Sequence, residues 1–183
     1  NKDFIPTVNN LYISTQTKIV RLNQVVDLGD VFWKINVMKY QSDMEGVIKK
    51  QMKVNCLDNE SVITLDENIK GIDGVTQINI IAKVDKVNGS NVIFKDVRKI
   101  SVGLCKKDLT SYRIKPKGAF YNCFVLIIRV KNPDDNFKEF HIKVFNTGKL
   151  EIPGIQSDEN LYNVLDKLIG ILSPFIENLA YDT

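Results

Sequence analysis

The stretch that most constrains this chain is 138–172. It runs from Lys138-Glu-Phe-His-Ile-Lys-Val-Phe145 through Asn-Thr-Gly-Lys149-Leu-Glu-Ile-Pro-Gly154 into a long periodic segment. From His141 to Ile152 the residue type alternates about a break at Asn146-Thr147-Gly148. Ile142, Val144, Leu150 and Ile152 fall on one side, and His141, Lys143, Phe145, Lys149 and Glu151 on the other. Period-two alternation around an Asn/Gly-bearing loop predicts a β-hairpin with one buried and one wet face.

A helix is predicted next. Ser157 or Asp158 can cap it, acidic residues fill the first turn, and Pro174 stops or kinks it. Leu161, Val164, Leu165, Leu168, Ile169 and Leu172 recur at the spacing of one apolar stripe. Such a helix covers the hairpin's apolar face and leaves the other face open. Phe145 then stands as a large ring on a polar surface. It is either a ligand contact or a hairpin-stabilising aromatic against His141 or Tyr12.

With 183 residues the chain suits one domain with ample apolar content for a core. The net charge of +3 decides nothing, but its distribution does. Residues 98–117 hold Arg98, Lys99, Lys106, Lys107, Arg113, Lys115 and Lys117 against Asp108, whereas 151–183 is acidic. These read as two surfaces for different partners, or as a solvated loop and a solvated helix face. Cys56, Cys105 and Cys123 are odd in number and scattered, which fits reduced thiols in an intracellular compartment. No CxxC or comparable pair accompanies the single histidine, so no metal is expected. The apolar run at Phe124–Ile128 is too short to span a bilayer, and no signal peptide opens the chain. A soluble protein is expected, with no membrane partner. Asn1 in place of methionine reads as the start of a piece cut from something longer.

Residues 6–20 predict a strand and 24–35 a helix with Leu28, Val31, Phe32 and Ile35 as its stripe, Phe32 and Trp33 packing beneath it. Met44–Lys50 is a further strand. A short strand is expected at Ser61–Leu65. A hairpin follows, from Val75–Val87 through Asn88-Gly89 and back by Val92, Phe94 and Val97. Ala119–Val130 is nearly continuous in apolar character and should be a central strand.

Phe145-Asn-Thr-Gly-Lys149 resembles the phenylalanine-x-x-glycine-lysine hairpin of TATA-box-binding proteins, which leads into the long second helix of a repeat. Pro6-Thr7-x-x-Asn10, Asp27-Leu28 and Tyr40 stand where that family's first strand, first helix and following tyrosine would be. The resemblance covers about 6–50 and 118–175, with an insertion at about 54–117. With this asparagine-threonine-glycine-lysine hairpin and a long middle insertion, the chain looks like those of nucleocytoplasmic large DNA viruses. The resemblance implies an α+β fold: one domain over 1–183, a curved antiparallel sheet with helices on one face, plus the inserted hairpin. It further implies a viral-type transcription-initiation factor that is not an enzyme and needs no cofactor. Its partners would be promoter double-stranded DNA and other initiation factors or RNA polymerase. The family builds a saddle from two repeats, so a single repeat implies a homodimer or a missing second repeat. The location implied is the host cytoplasm, nucleus or virion.

On this resemblance Phe145 and Phe120 are the wedges, and Asn10 the hydrogen-bonding centre. Lys143, Lys149, Lys49, Lys50 and Arg129 are the phosphate contacts. The second wedge belongs either to the Met44 strand, which no phenylalanine opens, or to the strand opened by Phe120. The chain departs from the family at Glu151 and Pro153, and Tyr12 is bulkier than the family's valine. A carboxylate aimed at a groove lined with acceptors repels it. The competing expectation is therefore a protein–protein adaptor of the transcription machinery that no longer binds DNA. A self-assembling structural domain, with the sheet face buried in a dimer, is a third. No Walker loop, GxGxxG, Gly-x-Ser-x-Gly or His-Glu-x-x-His motif argues for catalysis.

Overall fold

A computed structural model describes residues 12–85, 94–111, 120–131 and 136–182. They form an α+β fold, an eight-stranded curved antiparallel sheet with four helices. In chain order the elements are β1 (Gln16–Leu22), α1 (Leu28–Lys34), β2 (Gly46–Cys56), α2 (Asn59–Lys70), β3 (Thr76–Val84) and β4 (Lys95–Gly103). Then come α3 (Lys106–Thr110), β5 (Cys123–Lys131), β6 (Phe137–Phe145), β7 (Lys149–Ile155), α4 (Asp158–Leu172) and β8 (Tyr181–Asp182). The spatial order is β3-β4-β2-β5-β6-β7-β1-β8.

The hairpin and the helix after it set the layers. Ile142, Val144, Leu150 and Ile152 are fully buried, and they pack in one cluster with Leu161, Val164, Leu165, Leu168 and Leu172 of α4. Ser157 caps the helix, its Oγ accepting from Asn160 N–H at 3.3 Å, and the helix ends just before Pro174. Gly148 makes the turn possible. Its φ is +79°, and a Cβ there would lie 2.3 Å from the Gln24 carbonyl oxygen. That close approach docks the turn on the β1–α1 connection, with Leu22 N–H donating to Gly148 O and Val26 N–H to Asn146 O.

β5 is central, paired with β2 on one side and β6 on the other. Its Phe124, Leu126 and Ile128 face the helices and are fully buried. Phe32 of α1 packs 6.0 Å from Phe124, and Trp33 meets Phe32 edge-on at 5.0 Å. β3 and β4 pair as expected, while the Asn88-Gly89 turn lies outside the described residues.

Three expectations are corrected. Ser61–Leu65 is not a strand but part of α2. Asp58 accepts from Ser61 N–H at 2.8 Å as an N-cap, and Val62, Leu65 and Ile69 pack into the core at helical spacing. The β-branched run Val62-Ile63-Thr64 favoured a strand locally, but the cap and the buried stripe outweigh that preference. Within the strand expected over 6–20, the described residues 12–15 are irregular and β1 begins at Gln16, with Tyr12 85% exposed. Tyr12 is therefore no sheet-face partner for Phe145. The first helix starts at Leu28, where Asp27 caps it by accepting from Asp30 N–H. Residues 1–11, Asn10 among them, lie outside the described residues.

Candidate nucleic-acid interface

Alternation places α1, α2 and α4 on one face of the sheet and a second set of side chains on the other. Paired registers define that second face, as in the row Ser101–Gln51–Val125–Lys143–Glu151–Ile19 across β4, β2, β5, β6, β7 and β1. Its two ends differ.

One end is covered. Arg129 on β5 donates to the carbonyls of Tyr40 (2.7 Å), Ser42 and Met44 (3.0 Å), tying the 36–45 connection over the sheet. Its guanidinium also lies 4.4 Å from the Phe137 ring. Beside it, the 104–111 segment folds back. Cys105 packs on Ile48 and Ile127, Lys106 N–H donates to the Glu139 carboxylate at 3.0 Å, and Lys49 Nζ donates to Asp108 at 2.6 Å. Gly103 permits the fold-back, because its φ is +85° and a Cβ would lie 2.1 Å from Ile48 O. Burial pushes the Asp108 carboxyl up. Bonds from Lys49 and from the Cys105 N–H and thiol outweigh that and leave its pKa lowered.

These contacts correct three expected phosphate contacts. Lys49 is 4% exposed and ion-paired, and Arg129 is buried with its two terminal nitrogens donating to backbone carbonyls. Lys50 points to the opposite face, where its ammonium donates to Phe32 O and Ile35 O, both at 2.7 Å, at the end of α1. Burial brings its pKa down to about 8. A cation so enclosed stabilises chain carbonyls and cannot reach a ligand. Met44 belongs to this covered end, away from Phe145.

The other end carries no covering element among the described residues. Phe145 stands there on β6, half-buried, with Lys149 Nζ 5.1 Å from its ring centroid. Phe120 is 61% exposed, and its ring lies 5.3 Å from Lys143 Nζ. The two phenylalanines thus come to the same end of the same face. Tyr121, exposed, lies 3.7 Å from Lys53 Nζ, and Arg21 on β1 pairs with Lys149. Among the described residues of this end, Arg21, Lys53, Lys143 and Lys149 stand with two carboxylates, Glu151 between the lysines and Asp182 at the β8 edge, paired with Arg21. The Glu151 link is the closer one. Its carboxylate accepts from Lys149 at 2.8 Å and from Lys143 at 2.9 Å, and bonds from Lys149 first, then Lys143, hold its pKa below the usual range.

From β2 to β1 this end spans roughly 19 Å at about 4.8 Å per strand step. That exceeds the width of either groove of B-form DNA, about 12 and 6 Å. Tyr121, Lys53 and Arg21 were not singled out from the sequence. Lys53 alternates with Gln51 and Lys49 along β2, which was the available signal; Tyr121 precedes its strand, and Arg21 depends on the β1–β7 pairing. Cys56, Cys105 and Cys123 are buried and unbridged, and no group of ligating side chains among the described residues could hold a metal. No helix among them is long and apolar enough to cross a membrane. No protein-family model, curated protein or solved structure matches the chain.

Proposed function

We propose that the uncovered end of the sheet binds duplex DNA, and that the chain acts as a viral-type transcription-initiation factor resembling TATA-box-binding protein. The observation that carries this reading is the convergence of four cations and three aromatic rings on one uncovered sheet end. The segments covered by the resemblance supply the contiguous strands β2-β5-β6-β7-β1 with α1 and α4 on one face. The insertion adds α2, β3, β4 and α3 at the β2 side. In this reading Phe145 and Phe120 wedge between base steps of a widened minor groove, the mode for which TATA-binding protein is the known example. Lys143, Lys149, Lys53 and Arg21 position the phosphates, a sequence-independent role. The acidic surface of α4 and the insertion face polymerase or other initiation factors.

A mobility-shift titration on random and A·T-rich duplexes at two salt concentrations tests it. Binding should fall steeply with salt, because each phosphate contact releases counterions. Phe145→Ala and Lys149→Ala should each weaken binding, Phe145→Ala by roughly tenfold, on the scale of about 1–3 kcal/mol for an aromatic–base contact. Unchanged binding in both variants sinks the reading.

Glu151 favours a second reading. It already occupies both Lys143 and Lys149, as expected of a face turned from DNA to a protein partner. Such an adaptor shows no duplex binding in the same titration.

A further inference from the structure

The two edges of the sheet are guarded differently. At one, β8 is two residues long and carries Asp182, a short charged edge that resists further pairing. At the other, β3 runs nine residues, and its Thr76–Ala82 stretch holds no charged residue and no proline. Ile78, Ile80 and Ile81 there are 43%, 60% and 47% exposed. An edge this long and apolar is a template for another strand.

The backbone says which groups are on offer. The Val75 carbonyl turns inward and accepts from Gly103 N–H at 2.8 Å. Inward and outward groups alternate along an antiparallel ladder, so Thr76, Ile78 and Ile80 present their N–H and C=O outward. Pairing with β4 is regular from Thr76 to Ile80 and breaks only at the bulge between Ile80 and Ala82. Read antiparallel against itself about Ile78, that regular stretch is self-complementary. Ile78 meets Ile78, Thr76 meets Ile80, and Gln77 meets Asn79. Apolar side chains then face each other on the helix side and amides on the other, with no like charges opposed. A self-matching patch of this kind makes a closed two-fold contact rather than an open filament.

We propose that the Thr76–Ile80 edge of β3 pairs antiparallel with the same edge of a second copy of this chain. The two sheets become one, and the two-fold axis stands perpendicular to it at Ile78. Both uncovered basic ends then lie on one side of the joined sheet, and α1, α2 and α4 of both copies lie on the other.

Light scattering after size exclusion, at micromolar and submillimolar chain concentrations, reads the result. The wild type should run at twice the chain mass at the higher concentration. Ile78→Lys opposes two ammonium groups on the axis and should give the single-chain mass with an unchanged circular-dichroism spectrum. If Ile78→Lys fails to fold, Ile80→Lys, at a more exposed site, asks the same question. Val25→Lys, at an exposed apolar residue of the β1–α1 connection, should remain dimeric. Mild oxidation of Ile78→Cys should cross-link two chains. A wild type at single-chain mass throughout overturns the proposal, and so does a folded Ile78→Lys or Ile80→Lys dimer.

Discussion

The covered and uncovered ends of one sheet face use the same residue types for opposite purposes. At the covered end Arg129 lies against Phe137 and Tyr40, and Lys49 is paired to Asp108. At the uncovered end Lys143 lies against Phe120, Lys149 against Phe145 and Lys53 against Tyr121. What separates them is where the donors go. Arg129 is spent on three carbonyls of the 36–45 connection, and removing it strands those acceptors. Lys143 and Lys149 of the other end bond a partly exposed carboxylate that solvent or a phosphate can replace. Cation–aromatic pairing by itself therefore says nothing about ligand binding; burial decides.

The comparison breaks most readily at Arg129. Arg129→Met should lower stability by roughly 1.5–3 kcal/mol, because three part-buried carbonyls lose a charged donor. Denaturant unfolding measures it, and a loss within experimental error would show that the covered end is not held this way.

Lys50 contrasts with its neighbour Lys49 through pH. Its folded pKa of about 8 lies below the ordinary 10.5, so between those values the unfolded chain holds more protons and stability rises with pH. The stability of the wild type relative to Lys50→Met should grow across that interval by at most ~3 kcal/mol. A flat difference would mean that the Phe32, Trp33 and Ile35 carbonyls around the ammonium offset its desolvation.

Asp108→Asn tests the α3 cover and should cost about 1–3 kcal/mol, since Lys49 stays buried without its counter-charge. The Asp108 carboxyl has a lowered folded pKa. Its contribution is complete above the ordinary value of 3.8 and fades as pH falls through the lower folded one. An acid titration of wild type against Asp108→Asn should show the two curves converging there.

The smallest change in stability and the sharpest test of the uncovered end is Glu151→Gln. It frees Lys143 and Lys149, so duplex binding should tighten several-fold and its salt slope steepen by about 1–2. Thermal stability should barely move, as for other surface pairs. Unaltered affinity would favour the adaptor reading.

Much of this was legible because period-two and period-3.6 patterns are local. The 138–172 hairpin and helix, the central β5 and the β3–β4 pair all carry alternation or a stripe that one short window contains. α2 was missed because the window at 61–65 is centred on the β-branched run Val62-Ile63-Thr64, while the deciding cap, Asp58, lies outside it. Lys49 and Lys50 illustrate a different limit. Adjacent strand residues point to opposite faces, so both could not reach one ligand, and that much follows from period two. That Lys49 is also lost to solvent depends on 104–111 folding back onto the sheet, a contact |i−j| = 59 away along the chain.

By itself the sequence determined the alternating hairpin, the amphipathic α4 and the side of the sheet on which Phe145, Lys143 and Lys149 stand, because side-chain direction along a strand is a property of the backbone. Only the tertiary structure decided which cations on that side meet solvent. Two connections distant in sequence, 36–45 and 104–111, cover one end and leave the other, and no local pattern encodes where a connection will lie.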